Sequence, residues 1–154
     1  MNEALFSGEE MQLVVFKLGA ENYAVSILQV QEIKRITDIT RVPQTPDYIK
    51  GVMNLRGSVM PVVDLTKRLN LPKQEYTHDT RIIIVKLDDI VVGMIVDAVL
   101  EVTALVKEQI ERPDGMMGGV DAQFLDGVGK EEDRLLILLN LENTLGLGTE
   151  IKVG

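Results

Sequence analysis

Aliphatic runs of strand length alternate with polar pairs and glycines along most of the chain. LVVFKL, a turn at Gly19-Ala20-Glu21-Asn22 and YAVSI read as a hairpin; RIIIVKL, Asp88-Asp89 and IVVGMIV repeat the arrangement. MQLVVFKLGAENYAVSILQVQEI (11–33) lies without a gap over TRIIIVKLDDIVVGMIVDAVLEV (80–102), at an offset of 69. Lys17 meets Lys86, Leu18 meets Leu87, Val30 meets Val99 and Glu32 meets Glu101. Each copy continues into a turn-rich stretch and a second apolar strand, VMPVVDL (59–65) or RLLILLNL (134–141). A short helical tail, TKRLNL or ENTLGL, follows each strand. The repeated order of events points to an internal duplication.

The breaks sharpen this picture. Pro43 and Pro46 exclude a continuous helix through RVPQTPDYIKG. Gly51 and Gly57 fit tight turns or bulges. Pro61 confines its strand to an edge, a first position or a bulge. Ile27 and Val30, three apart in SILQVQEI, fit one helical turn before the chain re-enters a strand at Glu32. Many short strands, no long helix and a twofold repeat predict a mainly β protein of two small barrels side by side. The expected domain covers 11–146, with one subdomain over about 11–70, a crossover at 70–79 and a second subdomain over about 80–146. Residues 1–10 and 147–154 are expected to be flexible tails. The stretch 106–123, with its Gly115, Gly118 and Gly119 around Met116-Met117, is expected to be a helical turn plus a mobile loop.

Composition narrows the function classes. Apolar residues make up 45% of 154, with no Trp, three Phe and three Tyr, so the core must be aliphatic. No apolar window of about 18 residues exists to cross a membrane. The acidic start MNEALFSGEE does not resemble an export signal, and zero cysteines suit the cytosol. The charge of −8 is uneven: residues 1–77 carry nine basic and nine acidic side chains, residues 78–154 seven and fifteen. Neither half offers the basic face that nucleic acid requires.

Catalytic inventories fail. The lone His78 sits in the polar crossover, and without cysteine no His/Cys metal set or nucleophile–base pair can assemble. Gly127-Val128-Gly129-Lys130 imitates the end of a phosphate-binding loop, but Phe124 stands where its first glycine belongs, and Glu131 where the Ser/Thr belongs. Glu131-Glu132-Asp133 reads as a solvated hairpin tip, since three adjacent residues in a turn cannot wrap a cation. The expectation is no enzyme and no cofactor. Arg56 stands out instead: a guanidinium between the apolar runs of GVMNLRGSVMPVVDL needs either a buried partner or an exposed role at an interface. Glu32 and Arg56 either face each other across the first barrel or are two unrelated surface charges.

QVQEI followed by TPDYIKGVMNLRGSVMPVVDL resembles the central motif of the CheW family of chemotaxis coupling proteins. VVGMIVDAVLEV, QIERP and RLLILLNLENTL are similar to that family's C-terminal half, so the likeness spans about 11–146. It implies two five-stranded Src-homology-3-like barrels around a shared third core, and a non-enzymatic adaptor. Such an adaptor links the regulatory domain of the histidine kinase CheA to methyl-accepting chemoreceptors, is a monomer on its own, and works in the cytoplasm at receptor arrays on the inner face of the membrane. The alternative is the receptor-binding part of a CheV-like protein or of a non-motility chemosensory pathway. A chain stopping at Gly154 leaves no room for the CheV receiver, which favours a stand-alone coupler. Carried over by resemblance, the receptor-facing residues are Ile27, Val30, Glu32, Gly51, Asn54, Arg56 and Val99. The kinase-facing residues are Ile39, Thr40, Arg41, Val42 and Pro43.

Overall fold

The computed structural model describes residues 10–113, 115 and 119–146. The tails and most of the Gly/Met loop, for which flexibility was expected, lie outside the described residues.

Glu10–Leu18 (β1) and Glu21–Ser26 (β2) form the first hairpin, and a 3-10 turn at Ile27–Gln29 leads into Val30–Arg35 (β3). Ile49–Leu55 (β4), Ser58–Asp64 (β5) and the short helix Leu65–Arg68 (α1) complete the first repeat. The second repeat runs through Arg81–Leu87 (β6), Ile90–Val96 (β7), Ala98–Val106 (β8), Ile110–Glu111 (β9), Leu125–Glu131 (β10), Arg134–Leu139 (β11) and Leu141–Leu145 (α2). Asp64 and Asn140 cap the two helices, each side chain accepting a backbone N–H three residues on.

Two sheets result, ordered β8-β1-β2-β11-β10-β9 and β3-β6-β7-β5-β4. Each sheet takes its opening hairpin from one repeat and its remaining main strands from the other. A parallel ladder closes each exchange, β2 with β11 in one sheet and β7 with β5 in the other. An open two-stranded hairpin is marginal in water, and crossing to the other repeat's strands supplies both the missing ladder and an apolar face.

The repeats match in register, not only in order. Glu32 opposite Ile84 corresponds to Glu101 opposite Val15, and both β3 and β8 slip register just before that pair. β4 and β10 also bulge alike, ahead of Gly51 and Gly127. The expected five strands per barrel hold in one sheet, whereas the other gains the two-residue β9. Its counterpart is the isolated Thr40–Val52 bridge. Pro61 lies just before the stretch where β5 pairs with β7, so its missing N–H breaks no bond there.

Strand alternation divides the apolar side chains among three clusters. Leu13, Val15, Leu105 and Leu136 fill one barrel, and Met53, Val62, Ile82 and Ile84 the other. The largest cluster, with Val14, Phe16, Tyr23, Ile83, Val85 and Ile137, lies between the sheets. The Tyr23 hydroxyl in this central core has no hydrogen-bond partner among the described residues. Arg68 ties the repeats together: its Nε donates to the Thr144 carbonyl and its Nη2 to that of Asn143, at 3.1 Å. Its guanidinium carbon stands 4.5 Å from the Tyr48 ring centroid and 5.1 Å from that of Phe124.

Candidate interaction faces

Arg56 and Gly57 both adopt positive φ, 51° and 86°, at the tip of the β4–β5 hairpin. This is the two-residue turn whose twist suits a hairpin, although a left-handed arginine costs about 1 kcal/mol. Asn54 steadies the tip: its Oδ1 accepts the Gly57 N–H at 2.9 Å. The turn carries Arg56 to β3, where its Nη2 donates to Glu32 Oε2 at 2.7 Å. Glu32 is 22% exposed and Arg56 68%, so the carboxylate is the fixed member and the guanidinium the one presented to solvent. Lys34 stands 3.8 Å from the other Glu32 oxygen.

Glu32 points to one face of β3, while Val30 packs on the other against the central core. Ile27, from the preceding 3-10 turn, and Val99, on β8 in the opposite sheet, pack against the same core and are likewise partly buried. Both sheets therefore contribute an apolar margin to one central seam. Gly51 lies against the 39–43 segment. A Cβ there would come within 2.2 Å of the Thr40 carbonyl oxygen. Five residues along β4 separate it from Arg56, roughly 16 Å at strand spacing.

That segment runs along β4, an outer strand of its sheet. Thr40 and Val52 exchange both hydrogen bonds at 2.8 Å, so the edge is covered there. A lone ladder edge invites unwanted pairing, and the bridge blunts it. Arg41 and Pro43 are exposed, while Ile39 is half-buried against the barrel core. Ile39, Arg41, Val42 and Pro43 line a cavity of about 450 Å³ together with Lys50 and Lys67.

The sequence reasoning missed several surface residues. Leu28 is 63% exposed beside Ile27, and Ile33, Leu100 and Val102 are exposed on β3 and β8. Extending the offset that matched Val30 with Val99 would have found Ile33 and Val102 as mates. It also missed a second carboxylate–guanidinium cluster. Arg134 Nη2 meets Glu101 Oε1 at 3.0 Å, and its Nε donates to Glu131 Oε1 at 2.8 Å. The Thr103 hydroxyl donates to Glu131 Oε2 at 2.6 Å. That bond and the guanidinium hold the Glu131 carboxyl below its ordinary range. Glu101 is the repeat mate of Glu32, so each barrel fixes one arginine through the same duplicated glutamate. Among the described residues, no group of three or more His, Cys, Asp or Glu side chains is arranged to hold a metal ion.

Comparison with known proteins follows the same lines. The family model described as CheW-like domain matches residues 12–147. The chemotaxis protein CheW of Bacillus subtilis is 42% identical over 146 residues, covering 94% of this chain and 92% of its own length. That of Klebsiella aerogenes is 37% identical, covering 87% and 81%. The crystal structure of the scaffolding protein TtCheW from Thermoanaerobacter tengcongensis superposes with a TM-score of 0.86 at 36% identity, covering 94% of this chain and 99% of that one.

Proposed function

The chain belongs to the CheW-like family, and from that premise we propose that it is a coupling adaptor of chemotaxis, joining chemoreceptor tips to the regulatory domain of the histidine kinase CheA without catalysing a reaction. In this reading the central seam receives a receptor helix. Ile27, Val30 and Val99 supply apolar contact, and Arg56, held by Glu32, supplies a polar anchor. Helices are captured by apolar grooves with a few fixed polar groups, and a partly exposed ion pair contributes geometry more than energy.

The kinase-facing surface is the Ile39–Pro43 segment, seated on Gly51 and bridged to β4 through Thr40. Its cavity sets the apolar Ile39, Val42 and Pro43 beside Arg41, Lys50, Lys67 and a single carboxylate, Asp47. The protein then works on the cytoplasmic side of the membrane, recruited to receptor arrays; among the described residues no helix is long and apolar enough to cross a bilayer. The CheV-type alternative has weaker support, a relative 25% identical that this chain covers for 47% of its length.

The observation that carries this reading is the 2.7 Å Glu32–Arg56 pair, which holds an exposed guanidinium at the tip of a strained turn. The test is titration of the purified chain against a cognate receptor fragment and against the kinase regulatory domain, separately and then together. The expected result is binding to each and a ternary complex when all are mixed. Failure to bind the receptor fragment while the kinase domain still binds would remove the receptor half of the proposal.

A further inference from the structure

The acidity of this chain reverses at one cavity. Residues 78–154 carry fifteen acidic side chains against seven basic ones. The cavity of about 450 Å³ beside the Ile39–Pro43 segment has the opposite balance, Arg41, Lys50 and Lys67 against the single carboxylate of Asp47. None of its three cations forms an ion pair among the described residues. Lys50 stands 5.2 Å from the Tyr76 ring centroid. A neighbouring cavity shares both lysines, but there Asp64, Glu75 and Asp97 balance them and Lys73.

The rim of the first cavity is set in advance. Pro43 and Pro46 fix two backbone angles. The Thr45 hydroxyl donates to the Val42 carbonyl at 3.0 Å, and the Ile49 N–H to that of Pro46 at 3.0 Å. Gln44 is held at φ 63°, which glycine adopts far more readily. Strain kept in such a segment points to a binding role, and like charges held together are unfavourable until an anion joins them.

The same chain carries a group that fits. The β10–β11 hairpin closes at the Glu131–Arg134 pair, which leaves Glu132 and Asp133 as its two-residue turn. Both are exposed, neither forms an ion pair among the described residues, and neither lines the cavity of its own chain. Arg134, bound to Glu101 and Glu131, stiffens the strand ends beneath them.

We infer that the Arg41–Lys50–Lys67 cavity receives the Glu132–Asp133 turn of a second copy of this chain. Cavity and turn are different surfaces, so the contact is head-to-tail and each pair keeps a free cavity and a free turn for further copies. Exposed charge pairs contribute little each, so the association is weak and grows with protein concentration. The contact stands on charge and exposure. Its consequence, that a second copy and the kinase compete for one edge, rests on the kinase-facing reading above.

Sedimentation velocity of the purified chain over a range of concentrations tests this. The native sedimentation coefficient should climb with concentration. Lys50→Glu/Lys67→Glu and Glu132→Lys/Asp133→Lys should each weaken association tenfold or more. An equimolar mixture of the two should recover it, because the intact turn of one meets the intact cavity of the other. Circular dichroism checks each fold, and the neutral Lys50→Gln/Lys67→Gln and Glu132→Gln/Asp133→Asn replace a reversed variant that does not fold. A native chain that stays monomeric at every concentration, variants that associate as the native chain does, or a mixture no better than its parts would overturn the inference. Added kinase regulatory domain should dissociate the native assembly. An assembly that persists with the kinase bound would remove the cavity from the kinase-facing reading and leave the self-contact standing.

Discussion

At the scale of single residues, exposure decides what a substitution reads. Arg56 is mostly solvent-exposed, so its loss should barely touch stability. Arg56→Glu is expected to keep the native circular dichroism and melting temperature, to weaken receptor association by tenfold or more, and to leave kinase association unchanged. Adding Glu32→Arg should restore part of the loss, which a double-mutant cycle measures as coupling between the two sites. Tyr23 is the opposite case, fully buried with its hydroxyl unpaired among the described residues. Tyr23→Phe removes a polar group that gains nothing by burial, so urea denaturation should show stability unchanged or raised, by up to about 1 kcal/mol. Burial, with help from Glu21, pushes the Tyr23 phenol to about 12. Stability linked to the neutral phenol is complete below the unfolded value near 10 and is lost as the pH rises through about 12, so Tyr23→Phe should blunt alkaline unfolding. Glu131 runs the other way: its depressed carboxyl adds stability above the ordinary carboxylate range and loses it as the pH falls. An acid titration of Glu131→Gln should be correspondingly flatter.

At the scale of elements, two contacts hold parts that the strand ladders do not. Gly51 lets the Thr40 carbonyl approach to where a side chain would stand. Gly51→Ala should break the Thr40–Val52 bridge and cost about 1–3 kcal/mol, the usual cost of an overpacked site. Kinase binding should suffer before receptor binding, and one set of titrations with a thermal melt checks both. Arg68 closes the last turn of α2 while lying against Tyr48 and Phe124. Arg68→Lys keeps the charge but loses the planar fork, so it should lower the melting temperature nearly as much as Arg68→Ala does. The hairpins, their turns and the glutamate repeat were legible because period-two alternation and turn chemistry are local signals. The Thr40 bridge and the Arg68 clasp were not, because each depends on how separate elements pack together and leaves no local pattern.

At the scale of the whole molecule, the duplication was visible in the sequence but the exchange of hairpins was not. Matching Val30 with Val99 says that two units are alike, and nothing in that match says which copy of a hairpin completes which sheet. The Glu32–Arg56 pair was anticipated as one of two readings, whereas Arg134 escaped notice because its strand-start position has Ser58, not an arginine, as its mate. Because each sheet mixes the halves, fragments 1–77 and 78–154 should each be unfolded alone and should assemble when combined, giving native-like circular dichroism only in the mixture. A chain nicked within 70–79, which carries no regular structure, should stay assembled. The same exchange governs birth on the ribosome. Tyr23 waits for Ile137 to be synthesised before its parallel ladder can form, a delay of roughly 6–23 s at ordinary translation rates of about 5–20 residues per second. Throughout that interval the first hairpin is an orphan with an oily face, and the nascent polypeptide is a natural client for chaperones.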